Sequence, residues 1–113
     1  MPRYVFIYHA PPMPTDMAPP SAEEGKAMMD AWYAWAQKVG DDLEDLGVPL
    51  GGGQHVTPGG VQDSTREVAG YSILNADSMD AALDLAKVHP HLNMPGGCTI
   101  EVHEAMPLPD AAT

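Results

Sequence analysis

Residues 3–9 read Arg-Tyr-Val-Phe-Ile-Tyr-His, a run of β-forming residues in which both alternating sets are apolar. The two sets are Tyr4, Phe6 and Tyr8 on one side, and Val5 and Ile7 on the other. A strand that is apolar on both faces needs cover on both sides. The rest of the chain, or a partner, must therefore supply two covering layers for this strand.

A helix is predicted to follow, from Ser21 to a C-terminal cap at Gly47. Ser21 and Glu24 have the spacing of a capping box, which satisfies free N–H groups at a helix start. Gly40 is interpreted as a weak point inside this helix. Apolar residues at spacings of three and four form one stripe along it: Met28, Trp32, Trp35, Val39, Leu43 and Leu46.

The middle of the chain predicts one poor strand and one good one. Residues 48–56 contain Pro49 and three consecutive glycines, which confine such a strand to a sheet edge. Residues 57–63 are interpreted as a turn around Pro58, Gly59 and Gly60. Residues 67–75 form the good strand, with β-forming residues at its centre.

The last third predicts a second helix and a final strand. Asp77 and Ser78 are placed as the helix cap, and Pro90 stops the helix. Residues 98–104 alternate, with Cys98, Ile100 and Val102 on one face, which is typical of a half-exposed strand.

The resulting order is strand–helix–strand–strand–helix–strand. It predicts an α+β class and a ferredoxin-like βαββαβ sandwich, with both helices on one face of an antiparallel sheet. A single domain is expected over residues 1–106, with a flexible tail over residues 107–113. The helices leave one face of the sheet uncovered, and a bare apolar patch of this kind marks an interface or a ligand site. We therefore predict a homodimer.

Composition excludes several classes of function. The chain carries sixteen acidic residues against five Lys and Arg, a formal net charge of −11. Nucleic-acid binding needs a basic surface, and anionic membranes repel an acidic one, so neither partner is expected. Cys98 is the only cysteine, so no internal disulfide forms. The first residues lack a signal-peptide core, and no apolar run has the length of a membrane helix, so a cytoplasmic location is expected.

Two runs resemble the YCII-related family, also called DGPF-domain proteins. The first is 70–82, GYSILNADSMDAA, and the second is Pro90-His91-Leu92 followed by 96–102, GGCTIEV. The spacing Trp32-x-x-Trp35 is similar to one branch of the family. The resemblance extends from Arg3 to about Met106. It implies a dimeric α/β barrel, in which two ferredoxin-like sheets pack face to face and each subunit has a cleft.

The family's proposed catalytic pair is a His on the first helix and an Asp that precedes a Pro after the second helix. The predicted first helix contains no His, and His89 stands at the place of the Asp. The Asp-Gly-Pro-Phe stretch is absent, and the corresponding residues 61–64 read Val-Gln-Asp-Ser. The chemistry of the pair therefore does not carry over.

His89, Pro90 and His91 form the most suggestive local feature. Either imidazole could contact a ligand or act as a general acid or base, and two His at this spacing could chelate a metal. The alternative is that one of them stabilises the C-terminus of the preceding helix as a cation. No closed set of ligands accompanies the two histidines, so neither a structural metal nor a cofactor is expected.

The other candidates stand at element ends and on the first helix. His9 and His55 each end a predicted strand, where binding sites are often built. Trp32 and Trp35 are either core residues or walls of a pocket. We predict that Trp35, Tyr71, His9 and His91 surround one cleft, with His91 and His9 as candidate catalytic residues and Trp32, His55 and His89 as further candidate ligand contacts.

Two functional hypotheses remain. One is a cofactor-independent enzyme that acts on a small organic molecule in this cleft, with a histidine transferring protons. The other is a non-catalytic binding or interaction module that keeps the fold without the family's His–Asp pair.

Overall fold

The regular elements alternate along the chain as expected for an α+β protein. The computed structural model describes residues 2–11, 21–64, 67–93 and 97–107. Its helices and strands are β1 (Arg3–His9), α1 (Ala22–Val39), β2 (Leu43–Asp45), β3 (Gln54–Thr57), β4 (Gly60–Asp63), β5 (Val68–Asn75), α2 (Met79–Lys87) and β6 (Thr99–Ala105). Short 3₁₀ turns over Gly40–Asp42 and Pro90–Asn93 come after the two helices.

Strand β1 lies inside a four-stranded sheet whose order is β2-β5-β1-β6. Every neighbouring pair is antiparallel. This order and the two helices are compatible with a ferredoxin-like α+β fold. None of the helices among the described residues combines the length and the apolar character needed to cross a bilayer.

The start of α1 is predicted correctly and its end is not. The Ser21 hydroxyl accepts a hydrogen bond from the Glu24 N–H at 3.1 Å. The helix ends at Val39 rather than near Gly47, because Gly40 adopts a φ of 70° and donates its N–H to the Ala36 carbonyl. Glycine occupies this left-handed region without a side-chain penalty, so it caps the helix instead of weakening its interior.

The early helix end also moves the edge strand. Leu43–Asp45 forms β2 against β5, whereas the sequence placed this strand at residues 48–56. Pro49 makes only an isolated bridge to Gly70. Residues 54–63, interpreted as strand end and turn, instead form a separate two-stranded hairpin of β3 and β4, closed at its base by the Ser64 N–H and the Gly53 carbonyl at 3.0 Å.

The two apolar sets of β1 have different surroundings. Tyr4, Phe6 and Tyr8 are at most 2% exposed and belong to the core that α1 and α2 cover. Val5 and Ile7 point to the opposite face and are only partly buried. The structure thus decides between two orientations that the sequence left open.

The second half of the chain follows its prediction closely. The Ser78 hydroxyl caps α2 by accepting from the Ala81 N–H at 3.2 Å, and Ala82 and Ala86 are buried. Strand β6 begins at Thr99, one residue later than predicted, and its inward residues Ile100 and Val102 pack against the core. The stretch 12–20, most of the predicted proline-rich loop, and residues 108–113 of the predicted tail lie outside the described residues.

Candidate functional site

A cavity of about 250 Å³ lies between α1, the end of β1, the start of β5 and the segment that follows β2. Its walls are mostly apolar side chains and backbone. The described residues that line it are Tyr8, Ala10, Met28, Met29, Trp32, Leu46, Gly47, Val48, Pro49, Ala69, Gly70, Tyr71 and His91. No Lys, Arg, Asp or Glu is among these residues, so the described lining offers no permanent charge to a ligand.

A series of buried hydrogen bonds lies behind one wall of this cavity. The Tyr8 hydroxyl lies 2.7 Å from Ser72 Oγ and 3.1 Å from His89 Nε2. Ser72 Oγ lies 2.6 Å from the Leu46 carbonyl oxygen. A carbonyl only accepts, so Ser72 donates to Leu46, Tyr8 donates to Ser72, and the Nε2–H of His89 donates to Tyr8.

The hydrogen bond at the His89 end of this series requires the same donor-to-acceptor direction. The backbone N–H of His91 donates to His89 Nδ1 at 2.9 Å, so Nδ1 carries no proton and Nε2 does. Burial, with a smaller contribution from the neighbouring His91, lowers the pKa of His89 to about 3. Burial also raises the pKa of Tyr8 to about 12, against a smaller opposing effect of the hydrogen bond with Ser72. His89 is therefore a neutral structural group whose tautomer is set by its neighbours.

Acidification should destabilise the fold through His89. Its pKa is about 3 in the folded chain against 6.5 for the reference histidine, so the unfolded chain binds a proton that the folded chain does not. This contribution to stability is complete above pH 6.5 and is lost as the pH falls towards 3, with a limiting slope of about 1.4 kcal/mol per pH unit. Urea denaturation between about pH 7 and about pH 4.5 measures it. His89→Gln should remove this part of the slope, and a variant with the wild-type slope would contradict the assignment.

His91 is the histidine that reaches the cavity. Its side chain is 2% exposed, and its Nε2 lies 2.9 Å from the His9 carbonyl oxygen. Because that oxygen only accepts, Nε2 carries a proton and donates it to this hydrogen bond. Within the described part of the chain, Nδ1 of His91 has no hydrogen-bond partner.

Aromatic rings hold the two histidines in place. The Trp32 ring lies 5.0 Å from Tyr8 and 4.4 Å from His89, both edge to face. The Trp35 ring lies 4.3 Å from His89 on the side of the core, and its N–H donates to the Leu85 carbonyl at 3.0 Å. Edge-to-face packing of this kind is favourable, so these rings stabilise the position of the His89 imidazole.

Tyr71 is among the residues that line the cavity, and its side chain lies on the open face of the sheet beside Ile7. Its hydroxyl donates to Asp45 Oδ2 at 3.3 Å. The Asp45 carboxylate raises the pKa of Tyr71, because a phenolate beside it would be repelled. Tyr71 therefore stays protonated, with its hydroxyl directed towards β2.

The predicted site residues divide into three groups. Trp32, Tyr71 and His91 line the cavity. Trp35 and His89 lie behind its wall, because Trp35 is buried among core residues and His89 is 1% exposed. His9 contacts His91 through its backbone carbonyl, and its side chain faces the open side of the sheet with its Nε2 3.7 Å from Glu101. His55 lies in the separate hairpin.

Tyr8 and Ser72 are site residues that the sequence pattern did not predict. Tyr8 was placed in a strand and not in the site, although it lines the cavity and connects Ser72 to His89. One available signal was Ser72 itself, a hydroxyl that stands between Tyr71 and Ile73 in an otherwise apolar strand. A buried hydroxyl needs a partner, and here the partners are Tyr8 and the Leu46 carbonyl.

Metal binding has no support in the side-chain geometry of the described residues. Among them, no group of three or more His, Cys, Asp or Glu is arranged to hold an ion.

No protein-family model matches this chain, and no curated protein matches it.

Proposed function

We propose that this protein binds a compact, uncharged organic molecule in the cavity lined by Tyr8, Trp32 and His91. The observation that carries the proposal is Nδ1 of His91, an imidazole nitrogen that has no hydrogen-bond partner among the described residues and belongs to a mostly apolar lining. Small-molecule sites typically combine apolar walls with a few polar groups in this way. A space of about 250 Å³ walled by aromatic rings is large enough to hold a small organic molecule.

The size of the cavity limits the ligand. An apolar cavity of roughly 150 Å³ is large enough for benzene. The larger space here suits one or two fused rings with short substituents. Charged ligands are disfavoured, because the described lining has no opposite charge to replace their lost hydration.

Cofactor-independent catalysis is the second candidate function, and one observation favours it. The His9 carbonyl orients the His91 ring through Nε2, which leaves Nδ1 available as a general base. A hydrogen bond from the base to an orienting group recurs in acid–base catalysis. The described lining provides no carboxylate partner for His91, so binding is proposed as the primary function.

A cavity-filling variant tests the proposed function. Val48 lines the cavity and is 57% exposed, so Val48→Trp should fill the entrance without disturbing the core. We expect an uncharged bicyclic probe such as indene to shift the NMR signals of Trp32 and Tyr71, and the variant to weaken its binding at least tenfold. Val56→Trp is the matched control, because Val56 is 73% exposed on the hairpin. If no uncharged arene binds at millimolar concentration, the proposed function is wrong.

We also propose that the chain belongs to the YCII-related family and forms its dimeric α/β barrel. The open face of the sheet supports the proposal, because Val5, Ile7, Tyr71 and Ile73 lie at its centre and both α1 and α2 pack on the opposite face. A second copy packed on this face would cover them. Sedimentation equilibrium at micromolar concentration should give about twice the 12.0 kDa of one chain. A stable 12.0 kDa species would contradict this proposal.

A further inference from the structure

We infer that the ligand of this cavity is an uncharged aromatic molecule that donates a hydrogen bond, through an N–H or an O–H, to Nδ1 of His91. This inference rests on the proposed function and specifies the ligand's chemistry. It follows from the direction of the surrounding hydrogen bonds rather than from the shape of the cavity alone.

The hydrogen bond of His91 to His9 decides the tautomer of the His91 imidazole. Its Nε2 lies 2.9 Å from the His9 carbonyl oxygen, which has lone pairs and no proton. The imidazole must therefore carry its proton on Nε2, and in the neutral ring Nδ1 is then an acceptor. A ligand that also offers only an acceptor would face Nδ1 lone pair to lone pair.

Three hydrogen-bond donors of the residues that line the cavity already have protein acceptors. The backbone N–H of His91 donates to His89 Nδ1, and the Tyr8 hydroxyl donates to Ser72. The Tyr71 hydroxyl, a third donor among the described lining residues, donates to Asp45. The described part of the chain therefore leaves an acceptor for the ligand at Nδ1 of His91, while these three donors are committed to protein acceptors.

The aromatic and methionine side chains of the lining favour an aromatic ligand. Trp32 and Tyr8 contribute two rings in an edge-to-face pair, with centroids 5.0 Å apart. Met28 and Met29 lie on the same lining, and methionine sulfur makes favourable contacts with ring edges. Flat, polarisable ligands gain most from such walls.

Three bicyclic probes of nearly equal shape separate hydrogen-bond direction from shape. Indole donates through N–H, benzofuran offers only an oxygen acceptor, and indene offers neither. Isothermal titration of the full chain should show indole binding about tenfold more tightly than either of the others, the ratio that one net hydrogen bond gives. Indole-2-carboxylate should bind at least tenfold more weakly than indole, because its charge finds no partner in the described lining.

Variants at His91 assign the preference to Nδ1. His91→Leu should bring the affinities for indole and indene within twofold of each other. His91→Asn should keep a preference for indole, because its amide oxygen can take the place of Nδ1. Each variant is first checked for a cooperative thermal transition.

The outcomes distinguish the two levels of the proposal. If all three arenes bind equally to the wild type, or if benzofuran binds best, the inference fails while the proposed function stands. If His91→Leu keeps the full preference for indole, Nδ1 is not the acceptor. If none of the arenes binds, the proposed function itself fails.

Discussion

Gly47→Ala is expected to lower the free energy of unfolding by about 3 kcal/mol. Gly47 has a φ of 83°, in the left-handed region, and a Cβ built there overlaps the backbone carbonyl of Tyr71. The obstructing atom belongs to β5, so it cannot move aside as a flexible side chain would. The substitution therefore forces a movement of either β5 or the segment after β2, which lines the cavity.

Gly52→Ala is the matched control for this substitution. Gly52 has a similar φ of 62°, but its added Cβ meets no atom of the described chain within 4 Å. The control therefore isolates the backbone strain of a left-handed alanine, about 1 kcal/mol. Urea denaturation with a shared m-value compares the two variants. Equal losses at positions 47 and 52 would show that the approach of Gly47 to Tyr71 does not matter.

Trp35→Ala is expected to cost about 3–5 kcal/mol, which is a large part of the stability of a domain this size. The side chain is 3% exposed and packs against Phe6 and His89. The substitution leaves a large void and also leaves the Leu85 carbonyl without the Trp35 N–H. Thermal or urea denaturation measures the loss.

Tyr33→Ala on the same helix is the control for Trp35→Ala. Tyr33 is 53% exposed, so its truncation should change stability by roughly 0.5 kcal/mol or less. Both substitutions remove an aromatic ring and add a strong helix former, so helix propensity cannot explain a difference between them. Comparable losses would mean that α1 packs on the sheet through a different side from the one described.

Local signals were sufficient for the helix starts and for the well-formed strands. The hydroxyls of Ser21 and Ser78 accept hydrogen bonds from backbone N–H groups only three positions away. Neighbouring residues are therefore enough to predict these helix caps. The alternation in β6 likewise predicted which side chains face the core. These features depend on the chain within a few residues of each position.

The end of α1 could not be read in the same way. Gly40 is compatible with a weak helix interior and with a helix cap, and the choice depends on what Leu43 gains elsewhere. In the structure Leu43 pairs with Leu74 of β5 and packs against the core. This stabilisation of Leu43 comes from a strand about thirty residues away, so no local pattern around Gly40 predicts it.

For the candidate site, the sequence by itself determined the residue types and their element: a strand with two apolar sets, a tryptophan pair on the first helix, and two histidines after the second. Only the tertiary structure decided that the Tyr8 set faces the helices, that Trp35 lies behind the cavity, and that His9 contributes a carbonyl instead of its imidazole. The hydrogen bonds of Tyr8 join residues 64 and 81 positions apart. Each of these placements depends on which groups become buried together. Burial is a property of the packed chain, because a polar group removed from water is stable only where another segment supplies its partner.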